Sequence, residues 1–225
     1  MLYYDLHIHS CLSPCAQEDM TPANICAMAR LKGLDVIALT DHNTGGNLAA
    51  CDEAARREGL LFLPGMELCA SEEVHLLVYF PDVKSAMKMD TAIRSLYPAE
   101  KNRPEYFGHQ WLMDSQDQVL GEEEGLLIGA LAADAAALTD MVESFGGAAV
   151  PAHIYRGYGL IQVLGLMPPG PRFHAVELSL GQEVPKGCLP LHSSDAHQLG
   201  MISEREHSLP IARDIKTLLK YLIGE

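Results

Sequence analysis

The chain has 225 residues, 48% of them hydrophobic and 20% charged, with a formal net charge of −14. That length and apolar content fit one globular domain with a sizeable core and exclude a disordered chain. The negative balance argues against a long nucleic acid as the main partner, which normally needs a basic face. It leaves room for a small anion whose charge is met by bound cations.

The elements alternate in chain order. Leu2–Leu6 reads as a strand, and a loop over Ser10–Met20 follows. Thr21-Pro22 predicts a helix start, with Thr as N-cap and Pro at the first helical position. The helix Ala23–Leu31 stops at Lys32-Gly33. Leu34–Leu39 is a buried strand, Asn47–Glu58 a helix ended by Gly59, and Leu60–Leu63 and Val74–Phe80 are further strands. This rhythm predicts a parallel sheet or an α/β barrel. The middle is less regular. Val83–Tyr97 reads as a helix broken by Pro98–Pro104, and Phe107–Asp114 and Gln118–Glu122 flank Ser115-Gln116-Asp117 as a short hairpin. Glu122–Glu124 reads as a solvated acidic surface. Then come a helix over Leu131–Phe145, a strand over Ala148–Ala152 and a short helix over Leu160–Leu166. Strands His174–Ser179 and Leu189–His192 and a terminal helix, Arg213–Ile223, complete the order.

No apolar run is long enough to span a bilayer, so no membrane partner is expected. The opening Met-Leu-Tyr-Tyr-Asp lacks the basic region of an export signal, and the expected compartment is the cytoplasm. Cys11, Cys15, Cys26, Cys51, Cys69 and Cys188 are scattered and are expected as reduced thiols. Nothing in the sequence sets an oligomeric state.

The chemistry-bearing residues cluster just after predicted strands, where barrel and doubly wound enzymes place their sites. His7 and His9 share one face, because side chains alternate along a strand. His42, Glu67, His75 and His153 follow, and Asp195 with His197 repeats the opening i, i+2 spacing. Singly, each has a plain structural explanation: a loop histidine, a core histidine at His75, a cap partner at Glu67 or Asp195. Their joint order along one α/β chain favours metal ligation. Imidazole with carboxylate suits zinc, manganese or iron. The set is too large for one tetrahedral ion and suggests two or three ions sharing a carboxylate such as Glu67. Neighbouring metals of that kind suit in-line displacement at phosphorus.

Asp5-Leu6-His7-Ile8-His9-Ser10, Leu39-Thr40-Asp41-His42-Asn43, Pro64-Gly65-Met66-Glu67, Glu73-Val74-His75, Pro151-Ala152-His153 and Ser194-Asp195-Ala196-His197 resemble the motif series of the PHP (polymerase and histidinol phosphatase) superfamily. They stand in the family's order and span nearly the whole chain. The resemblance implies a distorted (β/α)7 barrel, a single domain in which residues 82–129 form a small hairpin-containing insertion or lid. It also implies a trinuclear site at the C-terminal ends of the strands. One ion falls to His7, His9, Glu67 and Asp195; a second to Glu67, His75 and His153; a third to His42, His197 and one ligand from the loop after His9. Where many family members place that last ligand, this chain has Pro14. Asp19, Glu18 or Cys15 is then the substitute, or the third ion is weak or missing.

The expected reaction is hydrolysis of a phosphoester by a metal-bound hydroxide, with Glu67 as the shared ligand. Arg156 is the candidate phosphate clamp, because a guanidinium matches phosphate geometry, and His197 or Asp195 is the candidate for proton transfer. His192 is expected to orient a ligand. The expected substrate is a small phosphorylated molecule: a nucleotide, or a sugar or amino-alcohol phosphate. The competing classes are an amidohydrolase acting on C–N bonds and a metal-binding regulator without catalysis. No strand-end lysine offers itself as the bridging group some amidohydrolases use.

Overall fold

A computed structural model describes residues 1–225. Strands β1 (Leu2–Ile8), β2 (Val36–Leu39) and β3 (Leu61–Cys69) are parallel neighbours, joined by crossover helices α1 (Pro22–Leu31) and α2 (Leu48–Glu58). The Thr-Pro start of α1 stands where the sequence puts it, but Thr21 does not cap its own helix. Asp117 does so instead, accepting from the Ala23 amide at 2.9 Å and the Thr21 hydroxyl at 2.6 Å.

The parallel rhythm fails at the next strand. β4 (His75–Tyr79) runs antiparallel to β3, and β7 (Ala148–Pro151) antiparallel to β4. The reason is connection length. Only the turn around Ala70–Val74 separates β3 from β4, closed by Ala70 N donating to Val74 O at 2.9 Å. A parallel crossover needs a dozen or more residues. β3 also runs past Pro64-Gly65, read from sequence as its end, because β4 gives it a partner from Gly65 to Cys69.

Helix α3 (Val83–Ile93) and the one-turn α4 (Pro104–Phe107) lead to the hairpin β5 (Trp111–Met113) and β6 (Val119–Glu122). Helix α5 is shorter than expected, Ala135–Ser144, because the Asp134 carboxylate caps it by accepting from the Ala137 amide at 2.7 Å. After α6 (Leu160–Leu164), β8 (Ala175–Glu177) and β9 (Leu189–Leu191) form a separate parallel pair. The short β10 (Ser208–Leu209) flanks β1, and α7 (Ile215–Leu222) ends the fold.

The main sheet has the order β10-β1-β2-β3-β4-β7. Of the expected distorted (β/α)7 barrel, the structure has a curled, mixed six-stranded sheet that does not close. The β8–β9 segment fills the gap between β7 and β1 through isolated contacts rather than ladders. Ile154 N donates to Glu177 O at 3.0 Å. Past β9, Ala196 forms one parallel bridge with Ile8, with His9 N donating to Ala196 O at 3.0 Å and Ala196 N to His7 O at 3.2 Å. Leu2, Tyr4 and Leu6 alternate into a core shared with Leu218 and Leu222 of α7. A larger core, with Ile25, Cys51, Val78 and Leu138, lies against the crossover helices.

The hairpin is fastened to the body. Trp111 N donates to Cys11 O at 3.0 Å, and Asn47 bridges the Ser10 hydroxyl, Trp111 O and Met113 N at 2.9–3.1 Å. Gly108 passes the buried Pro14 so closely that a Cβ there would lie 2.4 Å from the Pro14 carbonyl oxygen. No helix is long and apolar enough to cross a membrane.

Candidate metal centre

The topology brings distant residues to one rim. His7 and His9 lie at and just past the end of β1, His42 past β2, and His153 past β7; Asp195 and His197 follow β9. Glu67 sits inside β3. Because β4 turns back on β3, its first residue, His75, pairs with Cys69 at the same rim.

Glu67 is the hub. Its Oε1 lies 2.9 Å from His75 Nδ1, 3.1 Å from His153 Nε2 and 3.5 Å from His7 Nε2. Its Oε2 lies 3.1 Å from His42 Nδ1 and 3.4 Å from His9 Nε2. Asp195 Oδ1 lies 3.3 Å from His7 Nε2, 3.4 Å from His9 Nε2 and 3.6 Å from His197 Nδ1. Three overlapping sets offer ligand atoms within 4.8 Å of one another: His7, His9 and Asp195; His9, His42 and His197; His42, Glu67 and His75.

Hydrogen bonds fix the tautomers. His7 Nδ1 faces Glu177 Oε2 at 2.7 Å, and a carboxylate only accepts, so this nitrogen carries the proton. His153 Nδ1 and His197 Nδ1 donate to the carbonyls of Arg156 (3.2 Å) and Asp195 (2.8 Å). The Ser13 hydroxyl spends its proton on Asp41 Oδ1 at 2.7 Å, so it accepts from His9 Nδ1 at 3.0 Å. In their neutral forms all four rings therefore turn a bare Nε2 away from those partners. His7 Nε2 and His9 Nε2 stand 3.0 Å apart, and both face carboxylate oxygens. The buried His42 Nδ1 has no hydrogen-bond partner, despite its closeness to Glu67. Acceptors facing acceptors in a buried site require positive charge between them. Imidazole and carboxylate are the donor set a divalent transition metal takes, and the residues fit one.

Protons meet that demand when metal is absent. Burial opposes the charged form of His7, but Glu177, Glu67 and Asp195 outweigh it and raise the ring well above its ordinary value. Against burial, Asp195 and Glu67 raise His9 to about 9. Burial, with the charge on His9, lowers His42 to about 4. Glu67 and Asp195, which burial alone would raise, are held well below the carboxylate range by the surrounding histidines.

Two expected residues stand apart from the converging groups. Asp19 is exposed and belongs to none of the converging sets; the loop tip carrying Cys15, Glu18 and Asp19 faces solvent. Its shape follows from Pro14, buried under Gly108, and from Gln17 N donating to His197 O at 2.9 Å. His192 orients no ligand, since its Nδ1 donates to the Leu178 carbonyl at 2.7 Å. Arg156 is half exposed at the rim and bonds Asp195 Oδ2 at 2.9 Å.

Sequence reasoning missed Glu177, Ser13 and Asp41. Glu177 had a signal, a single carboxylate in the apolar strand Ala-Val-Glu-Leu, and it is 2% exposed. Carboxylates behind a ligating imidazole raise its basicity and lock its orientation. Glu177→Gln is expected to weaken metal affinity about 10- to 100-fold, read by competition with a chromogenic chelator. Unchanged affinity contradicts this role.

His153 has a positive φ of 28°, and Gly159 closes its loop. A Cβ on Gly159 would lie 2.2 Å from the His153 carbonyl oxygen and 2.6 Å from the Ile154 carbonyl carbon. Gly159→Ala is expected to displace His153 and destabilise the chain by about 1–3 kcal/mol, read as a lowered Tm and reduced metal retention.

The family model named PHP domain matches residues 5–151, well over half of the chain. A 3',5'-nucleoside bisphosphate phosphatase from Chromobacterium violaceum is 39% identical over 71 residues, 32% of this chain and 24% of that protein. Among solved structures, the lesion-specific endonuclease Q from Pyrococcus furiosus superposes with a TM-score of 0.67 at 18% identity. It covers 99% of this chain, which spans only 56% of the endonuclease. An amidohydrolase from Chromobacterium violaceum with bound sulfate gives a TM-score of 0.62 at 22% identity, over 97% of this chain and 96% of the other. Likeness at such identities shows a shared fold and no more. The matched region carries most of the converging histidines and their Glu67 hub, and the chain belongs to the PHP domain family.

Proposed function

We propose that this chain is a metal-dependent phosphoesterase acting on small phosphorylated molecules. The observation that carries the proposal is the meeting of bare histidine nitrogens and two carboxylates in a buried site. Membership of the PHP family and the name of the phosphatase relative support it. We assign two or three divalent ions, zinc, manganese or iron, to His7, His9, His42, Glu67, His75, His153, Asp195 and His197, with Glu67 shared. When bound, such ions supply Lewis acidity toward water and the phosphoryl oxygens.

The protein's own residues do the rest. Glu177, Ser13 and two backbone carbonyls hold the outer ring protons, so the inner nitrogens stay aimed inward. Arg156 stands at the open edge and offers guanidinium N–H groups to a phosphate oxygen, while Asp195 holds it in place. Asp195 and His197 occupy the same edge and are assigned to proton transfer with the leaving group. A net charge of −14 favours a small substrate over a long nucleic acid. All six cysteines are free thiols, in keeping with a cytoplasmic setting.

The test is a panel of phosphomonoesters, phosphodiesters and amides on chelated protein reconstituted with manganese, zinc or iron. Metal-dependent turnover of phosphoesters is expected. A fully loaded protein inert toward every phosphoester, or faster on amides, sinks the proposal, and tight binding of duplex DNA would redirect the substrate assignment.

A further inference from the structure

A cavity of about 380 Å³ adjoins the centre, bordered by His153, Arg156 and Glu177. Its far wall carries His192, Ser193, Ser203 and His207, with exposed Leu180 and Met201 at the rim. That wall has unused hydrogen-bonding capacity. His192 spends Nδ1 on the Leu178 carbonyl, which leaves Nε2 as an acceptor. The Ser193 oxygen accepts from the Leu6 amide, and its proton goes to no protein acceptor. Ser203 is anchored through its backbone amide on Asp5 at 2.8 Å, and its hydroxyl is free. His207 packs 5.3 Å from the His192 ring and makes no side-chain hydrogen bond.

The chemistry of the lining selects among occupants. Arg156 is its one permanent positive charge and is assigned to the phosphate at the metal centre, which leaves no cation for a second phosphate. It has no Phe, Tyr or Trp, so the only planar groups it offers a base are its imidazoles and the Arg156 guanidinium. Hydroxyls and imidazoles with open hydrogen-bonding positions suit a group rich in hydroxyls, and the volume lies at the small end for ligand sites. We propose that this cavity is the subsite for the uncharged, hydroxyl-rich part of the substrate, a sugar or polyol joined to the phosphate held at the metal centre. This assignment rests on the phosphoesterase reading.

Two measurements separate the two ideas. In the metal-loaded chain, His207→Ala and the milder Ser203→Ala are expected to lower the ratio of kcat/KM on ribose 5-phosphate to that on p-nitrophenyl phosphate by about tenfold, the scale of one or two lost hydrogen bonds. An unchanged ratio in both variants overturns the subsite. Saturation-transfer NMR with free ribose needs no turnover. Transfer to ribose is expected with the native chain and is expected to weaken in both variants. No transfer to the native chain overturns the subsite even if esters are hydrolysed. Transfer without turnover of any ester keeps the subsite and removes the phosphoesterase reading.

Discussion

Glu67→Gln is expected to lower phosphoesterase turnover by about a thousandfold or more while the chain stays folded. Glu67 is 1% exposed, and its two oxygens lie within 3.5 Å of nitrogens from five histidines. Glutamine has the same shape, so no cavity opens, and its amide can donate to a bare imidazole nitrogen. It lacks the negative charge that a shared ligand supplies to two ions. Metal retention is therefore expected to fall together with activity. Tm without metal is expected to fall as well near neutral pH, because Glu67 is one of the charges that keep His7 and His9 protonated. Metal content, turnover and a thermal melt on one preparation check this. Full activity in the variant contradicts the shared-ligand assignment.

Removing the metal should make stability depend steeply on pH. His9 is raised from 6.5 to about 9, and His7 moves the same way. Their protonated forms are favoured in the folded, metal-free chain. The stability this gives is fully present below the unfolded value, about pH 6.5, and is lost as pH rises through the folded values. For His9 alone the shift corresponds to about 3 kcal/mol. His42, lowered to about 4, changes charge below this window. Bound divalent ions displace the protons, so the loaded chain should lose this dependence and instead gain stability as pH rises through the unfolded histidine range. Urea denaturation of chelated and loaded protein between pH of about 6.5 and 8.5 checks this, stopping short of ordinary thiol titration. A chelated chain equally stable at both ends contradicts the charge assignment of the centre.

Residues that act through local pattern were legible in the sequence. The i, i+2 spacing of His7 and His9, the Thr-Pro start of α1 and the turn chemistry around Ser115–Asp117 are short-range features, and the structure has the corresponding strand, helix and hairpin. Strand direction was not legible beyond β3, because the rhythm of elements says nothing about which way β4 turns. The brevity of Ser71–Glu73 was the available clue. Partners joined only by the fold were also hidden. Glu177 reaches His7 across 170 residues, and Asp117 caps α1 across 94. No pairwise spacing encodes either. Asp19 stands apart for a related reason: the loop after His9 has the right residue types, but the packing of Pro14 under Gly108 accompanies a tip whose carboxylates face solvent.

The most direct measurement is a metal titration of chelated protein, with bound metal and turnover of a phosphomonoester recorded at each step. Activity is expected to rise with occupancy up to two or three equivalents and to vanish again on chelation. Protein that retains no metal, or that fills its sites with manganese, zinc and iron in turn and still turns over no phosphoester, would contradict the assignment of this centre to phosphoester hydrolysis.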